Sequence, residues 1–429
     1  MFQPSRFECG WSAFAAIWPR CEGSNDPPRD QATRLKQLNK PDATNANQTS
    51  GGEELVPGVF LMTNSLETGG SERQFIALAR SLDPISFRLH LGCIQQKGPF
   101  LDGLDEVPQF RLGGSLYGLR SLRTRFRLAR HLRQCNVAIA HAFDFYTNLT
   151  LIPAARIARV RVVIGSQRQL GDLLSRAQSC AQAAMFRWCD SVVCNSRAAA
   201  DRLVAQGLPE RRVVVIGNGL PPAAFVETQP ALPRRPGLSR VGMIARMNAR
   251  YKNHRAFLHA AARIRGSFPT LEFLLVGDGP LRPELEREAE SLGLGDQVHF
   301  LGDRRDIPAV LASLDISVLP SASESLSNVI LESMAAGVAV VASRVGGNPE
   351  LVAEDRGVLI APDDSEALAS AIECLLRDAK LRLKLSRNAQ QFVAANFSLE
   401  KSRKRYEELY AKLLAKKGWH PTPRLVSRA

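Results

Sequence analysis

Between residues 57 and 360 the chain alternates short, continuous apolar runs with stretches of helical amphipathic pattern. The first runs are Val59–Met62, Leu89–Ile94, Val137–Ala140, Val162–Ile164, Val192–Cys194 and Val213–Ile216. Helical patterns such as Ser71–Ser81 and Leu119–Arg133 lie between them. A stretch holding Pro221, Pro222, Pro230, Pro233 and Pro236 then breaks the rhythm. It restarts with Val241–Ala245, Phe273–Val276, Val298–Leu301, Ile316–Leu319, Val338–Val341 and Val358–Ile360. A run that is apolar at every position is a strand covered on both faces, and strands separated by helices pair in parallel. The pattern predicts an α/β chain of two facing, doubly wound parallel-sheet domains, over 56–222 and 223–395. Ligands in such sheets bind beyond the carboxyl ends of the strands, so the cleft between two of them is the expected site. Residues 396–429 read as a helix and basic tail, the helix returning to the N-terminal domain.

Size and composition narrow the class. A chain of 429 residues buries roughly three quarters of its unfolded surface, which excludes a small disulfide-stapled scaffold. Hydrophobic and charged fractions of 45% and 23% exclude wholesale disorder. The longest clean apolar run, Met334 to Ala342, is too short to span a membrane. Residues 22–55 hold few apolar side chains, so 1–55 is expected to be a disordered extension. The eight cysteines form no Cys-x-x-Cys pair, which argues against structural zinc. They fit small buried hydrophobes in a reducing, cytoplasmic setting.

The net charge of +14 is localised. Residues 111–170 carry eleven arginines against Asp144 alone, and residues 380–429 carry thirteen Lys/Arg against three glutamates. This is a basic face, whose readings are solvation, an anionic partner or nucleic acid. Nucleic acid is disfavoured, because no helix-turn-helix, zinc finger or stacking-aromatic pattern accompanies the arginines. In Leu119–Arg133, the residues Leu119, Leu122, Phe126, Ala129 and Leu132 share a helical stripe. Arg120, Arg123, Arg127 and Arg130 lie beside it. Such a helix either lies on an anionic membrane or packs on its own sheet.

Three constellations sit at predicted strand ends. Gly69-Gly70-Ser71 opens a helix, with Ser71 and Gln74 at capping-box spacing, and a helix start favours an anion. Arg246 and Lys252 follow Val241–Ala245 and could clamp a diphosphate. Ser323-Glu324-Ser325-Leu326-Ser327-Asn328 leads into a helix carrying Glu332, with Ser327 as N-cap. Two carboxylates at an anion-binding helix mouth suit hydrogen bonding to hydroxyls. His141 ends a strand on the cleft side, and a lone histidine there is more often structural than catalytic.

The segment Ser323–Ala335, followed by Gly337 and Gly346-Gly347, resembles the Glu-x7-Glu signature of family 4 (group 1) retaining glycosyltransferases. Arg246 and Lys252 match that family's Arg-x5-Lys pair, and Gly277-Asp278-Gly279-Pro280 its Gly-Asp-Gly-Pro turn. Asn218-Gly219 matches its interdomain Asn-Gly, and Gly69-Gly70 its N-terminal glycine loop. The resemblance runs from about residue 57 to about 411 and implies the GT-B fold, two facing Rossmann-like domains. It implies that Arg246 and Lys252 neutralise the donor diphosphate, Glu332 binds ribose hydroxyls and Glu324 contacts the donor sugar. Backbone around Gly69, Gly70, Ser327 and Asn328 would bind phosphate or sugar. His141 would reach the sugar, and Gly277, Asp278, Arg304 and Ile307 would border the base. Two departures are Ser325 in place of a frequent glycine, and Gln169 where an acid often follows Ser166-Gln167-Arg168.

The implied activity is retaining glycosyl transfer from a nucleotide-diphosphate sugar to a glycan, lipid-linked or small-molecule acceptor, with no cofactor. No Asp-x-Asp occurs, so no metal is expected at the diphosphate. A covalent role for Glu324 stays open beside same-face attack. The rivals are a sugar-nucleotide epimerase and a non-catalytic binding protein for sugar nucleotides or nucleic acid. A cytoplasmic enzyme is expected, with peripheral contact to an anionic membrane through Leu119–Arg133.

Overall fold

The computed structural model describes residues 56–104, 107–113, 116, 118–353 and 355–419. The extension expected over 1–55 and the end of the basic tail lie outside the described residues. The first sheet contains β1 (Gly58–Thr63), β2 (Arg88–Cys93), β3 (Val137–Ala142), β4 (Val162–Gln167), β5 (Ser191–Cys194) and β6 (Val213–Val215). The second contains β7 (Ser239–Ile244), β8 (Leu271–Val276), β9 (Val298–Gly302), β10 (Ile316–Leu319), β11 (Ala339–Ser343) and β12 (Val358–Ile360). Every pairing within the two sheets is parallel, and each apolar run in the sequence is a strand. The residues of β1, β3, β4, β10 and β11 are all buried, as strands with helices on both faces must be.

The strand orders are β2-β1-β3-β4-β5-β6 and β12-β11-β10-β7-β8-β9. The order reverses beside β1 in the first sheet and beside β7 in the second. At such a switch point neighbouring loops diverge to opposite faces and leave a crevice. The loop after β1 carries Gly69-Gly70, the loop after β7 carries Arg246 and Lys252, and the loop after β10 carries Glu324. Topology alone therefore brings the three constellations to the switch points.

The chain crosses twice between the domains. Leu220, leaving the first sheet, donates its N–H to Phe397 O at 2.8 Å, and Leu399 N returns a bond to Leu220 O at 2.8 Å. The helix Leu399–Lys416 then lies on the first domain. Its Tyr406, Leu409, Tyr410, Leu413 and Leu414 join Val59, Leu61, Phe75 and Leu91 in one apolar cluster. This helix also settles the place of His141. The ring is fully buried, with Nδ1 2.7 Å from Tyr410 Oη and Nε2 2.9 Å from Ser166 Oγ. Both nitrogens are occupied inside the core, so the expectation that His141 reaches a donor sugar is corrected: it locks the last helix onto β3 and β4.

Burial, and then the nearby Arg168 guanidinium, push the His141 pKa down from 6.5 to about 3. Below pH 6.5 the unfolded chain takes a proton that the folded chain refuses. The contribution of a neutral His141 is therefore complete above pH 6.5 and is lost as pH falls toward 3. His141→Gln is expected to lower stability at pH 7 by about 1–3 kcal/mol, because a buried partner is left unmatched. Between pH 6.5 and 5 the gap between wild type and variant is expected to narrow by about 1.4 kcal/mol per pH unit. Urea unfolding at the two pH values checks this, and a constant gap would show that His141 is not held neutral.

Candidate active site

The helix Asn328–Ala335 is the centre of the site. Ser327 Oγ accepts from Ile330 N at 3.3 Å, so the N-cap read from the sequence is present. The preceding loop is fixed from below by Gly346. With φ at +50°, a Cβ on Gly346 would lie 1.6 Å from Glu324 O, so this contact admits no side chain. From the other side, Ser325 is buried, and its hydroxyl donates to Asn195 Oδ1 at 2.5 Å and lies 3.1 Å from Ser196 Oγ. The serine that departs from the family pattern is thus an interdomain contact.

The two cations of the Arg-x5-Lys pair have different partners. Lys252 Nζ lies 2.6 Å from Glu324 Oε1, which also accepts from Ser321 Oγ at 2.9 Å. Burial pulls the Lys252 ammonium down, but Glu324 and the Tyr251 ring outweigh it, and the net shift is upward. Arg246 reaches across the cleft to Thr68, with Nη2 2.7 Å from Thr68 Oγ1. Lys252 and Glu324 are thus brought together at one helix mouth, while Arg246 is held by the glycine loop.

Glu332, one turn further along the helix, also faces the first domain. Arg73 Nη1 donates to its Oε1 at 2.7 Å, while Oε2 is buried and has no hydrogen-bond partner. Burial raises the Glu332 pKa and Arg73 partly opposes that shift. A buried acceptor left open is costly unless something fills it. A cavity of about 1110 Å3 begins here and runs toward the hinge, with Arg73, Asn328, Glu332, Arg305 and Ile307 in its lining.

The glycine loop holds a second correction. The helix begins at Gly70 with Gly69 at the N-cap, and no side chain caps it, so Ser71 and Gln74 do not form a capping box. Gln74 is used elsewhere: its Nε2 donates to Gly219 O at 3.0 Å and its Oε1 accepts from Gly219 N at 2.8 Å. A two-ended amide bond across the domain junction outcompetes a local cap. Gly70 O in turn accepts from Asn328 Nδ2 at 3.1 Å, and a Cβ on Gly70 would sit 2.7 Å from that nitrogen. Asn218 completes the link by donating to Asn328 Oδ1 at 2.7 Å and accepting from Arg168 at 2.6 Å.

The residues expected to border the base are at loop ends of the second sheet. Asp278 accepts from Gly279 N at 2.7 Å and pairs with Arg282 at 3.0 Å, in a turn where Gly277 and Gly279 both have positive φ. Arg304 makes a two-bond pair with Asp306, and Ile307 opens the helix Ile307–Ala312. Sequence reasoning missed Thr68, Arg73, Arg168 and Ser321. Arg73 was findable, since it lies three residues after Gly70 on the same helix face. Thr68 and Ser321 carry no signal until the domains are placed together. Among the described residues no three His, Cys, Asp or Glu side chains group as a metal site.

Gly346→Ala is expected to displace the Glu324 loop and lower turnover by about 100-fold or more, since misplacement by about 1 Å is enough. Nucleoside binding at Glu332 should change far less. Parallel kinetics and nucleoside titration check this, and normal turnover would show that the loop does not rest on Gly346.

Comparison with known proteins follows the same division. Residues 68–224 match the Glycosyltransferase Family 4 description, and residues 239–378 match Glycosyl transferases group 1. The chain is 32% identical over 251 residues to a lipopolysaccharide core biosynthesis glycosyltransferase of Rhizobium meliloti, covering 58% of this chain and 69% of that protein. It is 25% identical over 359 residues to an Escherichia coli UDP-Gal:alpha-D-GlcNAc-diphosphoundecaprenol alpha-1,3-galactosyltransferase, covering 77% and 90%. In fold it is similar to Anabaena HepE, solved with UDP-glucose, at a TM-score of 0.73 and 23% identity over 83% of this chain and 99% of that one. Two facing parallel sheets of the GT-B type, matched across both domains, leave one assignment: the chain belongs to the family 4, group 1 glycosyltransferases.

Proposed function

We propose that the protein is a retaining, metal-independent transferase that moves a sugar from a nucleoside-diphosphate donor to a glycan or lipid-linked acceptor. The observation that carries this reading is Glu332 Oε2, a buried acceptor with no partner, on the helix whose mouth holds Lys252 and Glu324. A ribose diol supplies the missing donor. The diphosphate then lies toward the helix N-terminus and Lys252, with Arg246 released from Thr68 to meet it. These groups stabilise charge that develops on the departing diphosphate, which is the role a metal plays elsewhere. The anomeric C–O bond breaks, the acceptor hydroxyl bonds on the same face, and its proton passes to the departing phosphate oxygen. Glu324, held by Lys252 and Ser321, is placed to accept from donor-sugar hydroxyls. UDP in the HepE structure and undecaprenyl diphosphate in the name of the Escherichia coli relative support a uridine donor and a lipid-linked acceptor.

The arginine-rich helix supports contact with an anionic membrane. The stripe read from the sequence divides in the structure. Ala129 and Leu132 are buried with Leu128, whereas Leu119, Leu122 and Phe126 are 76%, 45% and 55% exposed. Arg120, Arg123 and Arg130 are exposed on the same helix. No helix among the described residues is long and apolar enough to cross a membrane, so this contact would be peripheral.

Binding, activity, stereochemistry and vesicle measurements test the reading. Glu332→Gln should weaken binding of UDP about tenfold and leave 2′,3′-dideoxy-UDP unaffected; equal losses would remove the ribose assignment. Arg246→Ala and Lys252→Ala should each lower diphosphate affinity roughly tenfold without changing nucleoside affinity, and activity should persist in EDTA. Product stereochemistry by NMR must show retention. Exchanging Arg120, Arg123 and Arg130 for glutamine should weaken binding to anionic vesicles roughly 100-fold at low salt, at about 1 kcal/mol per charge. Wild-type protein that ignores such vesicles would end the membrane reading.

A further inference from the structure

A second basic cavity lies on the opposite edge of the first sheet. It encloses about 650 Å3 and is built where four segments end: the helix Phe145–Ala158, the helix Arg176–Arg187, the turn before β6 and the last helix. Its lining includes Arg156, Arg187, Arg211, Arg212, Lys416 and Lys417, with Asp190 as its only acid. These residues precede the amino ends of β5 and β6, whereas the catalytic groups follow the carboxyl ends of other strands. Arg156 of one basic region of the sequence and Lys416 and Lys417 of the other share this lining.

Half of these cations have structural work. Arg156 donates to Trp188 O at 2.7 Å and pairs with Asp190 at 3.1 Å. Arg212 donates to Arg187 O at 2.9 Å, and Lys417 pairs with Asp190 at 2.8 Å. Such bonds satisfy carbonyls at helix ends and complement the helix dipole. Asp190 also accepts from Val163 N at 2.9 Å, so its capacity is used. The side chains of Arg187, Arg211 and Lys416 are exposed and make no hydrogen bond or ion pair with another described residue. Three cations gathered without an anion raise the local potential at a cost in stability. Trp188, 51% exposed, adds an indole surface to the same cavity.

We infer that this cavity binds a phosphate-bearing ligand with two or more negative charges, at a site separate from the donor clamp. Guanidinium forks of Arg187 and Arg211 match phosphate oxygens with paired bonds, and Lys416 adds a point charge. The Trp188 ring covers the part of the ligand that carries the phosphate. A soluble diphosphate and a phospholipid headgroup present the same chemistry. The inference does not rest on the catalytic reading, since none of its residues borders the cleft.

The test uses the full-length Arg246→Ala/Lys252→Ala protein, so that diphosphate cannot report from the donor clamp. Inorganic pyrophosphate is expected to change the tryptophan fluorescence, and Trp188→Phe is expected to remove that change. Arg187→Gln/Arg211→Gln/Lys416→Gln should weaken the response roughly tenfold or more, with no fall in the unfolding midpoint. A second arm uses phosphatidylglycerol vesicles and protein lacking Arg120, Arg123 and Arg130, so that the amphipathic helix does not report. Vesicle binding that depends on Arg187 and Arg211 and is displaced by pyrophosphate identifies a headgroup as the source. A pyrophosphate response without vesicle binding identifies a soluble ligand. No response in either arm, or a response that the triple glutamine variant retains in full, overturns the inference.

Discussion

One carboxamide holds the two domains in register. Asn328 accepts from Asn218 at the hinge and donates to Gly70 on the opposite lip. It is also the first residue of the helix that carries Glu332. A carboxamide has both donor and acceptor at one end, so it can join the side-chain amide of Asn218 to the Gly70 carbonyl. A side chain at Gly70 would push that amide aside, since a Cβ there would lie 2.7 Å from its nitrogen. Gln74 repeats the device one turn along by bracketing Gly219. The position of the donor helix, the glycine loop and the hinge therefore follows from two amides and two glycines.

The polar lips of the cleft are satisfied by one another. Arg246 rests on Thr68, Arg73 on Glu332 and Lys252 on Glu324. The proposed function gives Arg246, Lys252, Glu324 and Glu332 a part in binding a dianionic, hydroxyl-rich donor, and each already has a polar partner here. A closed cleft lowers the effective dielectric, so an unpaired ion there would be costly. Under the proposed function, donor entry is an exchange of partners, in which diphosphate would replace Thr68 at Arg246 and hydroxyls would fill the empty lone pairs of Glu332. Exchange keeps the number of charge-assisted bonds nearly constant while changing which domain supplies them. It also couples donor occupancy to the distance between the lips.

The strands were legible because their signal is one of burial. Runs such as Val137–Ala140 and Val192–Cys194 are apolar at every position, and only a parallel sheet covered on both faces uses such runs repeatedly. The glutamates, the Arg246 and Lys252 pair and the glycine turns were legible as spaced motifs, and all lie at strand ends. His141 was not. Its residue type and its place after a strand suit either a ligand contact or the core. The decision was made by Tyr410, 269 residues away in sequence. Gln74 failed for a similar reason. Local spacing suggested a capping box, while the competing partner, Gly219, is 145 residues distant. The stripe of the Leu119–Gln134 helix divided between core and solvent because the buried face includes Ser121 and Thr124 beside Leu128, Ala129 and Leu132, and a hydrophobicity pattern passes over the two polar residues.

The return of the last helix to the first domain governs the order in which the molecule can be made. Tyr406, Tyr410 and Leu414 belong to the same apolar cluster as Val59 and Leu61, yet more than three hundred residues of synthesis separate them. While the chain emerges from the ribosome, the first sheet must wait with one face incomplete, and the buried His141 has no phenol to bond. The second domain is continuous between its linker and the crossing at Phe397, so it can close first, although it is translated later. Its core can therefore be complete before that of the first domain. Until the eighteen-residue helix Leu399–Lys416 is made, a nascent chain of this design leaves the apolar partners Val59, Leu61 and Leu91 uncovered on that side, and the helix then staples the first domain shut.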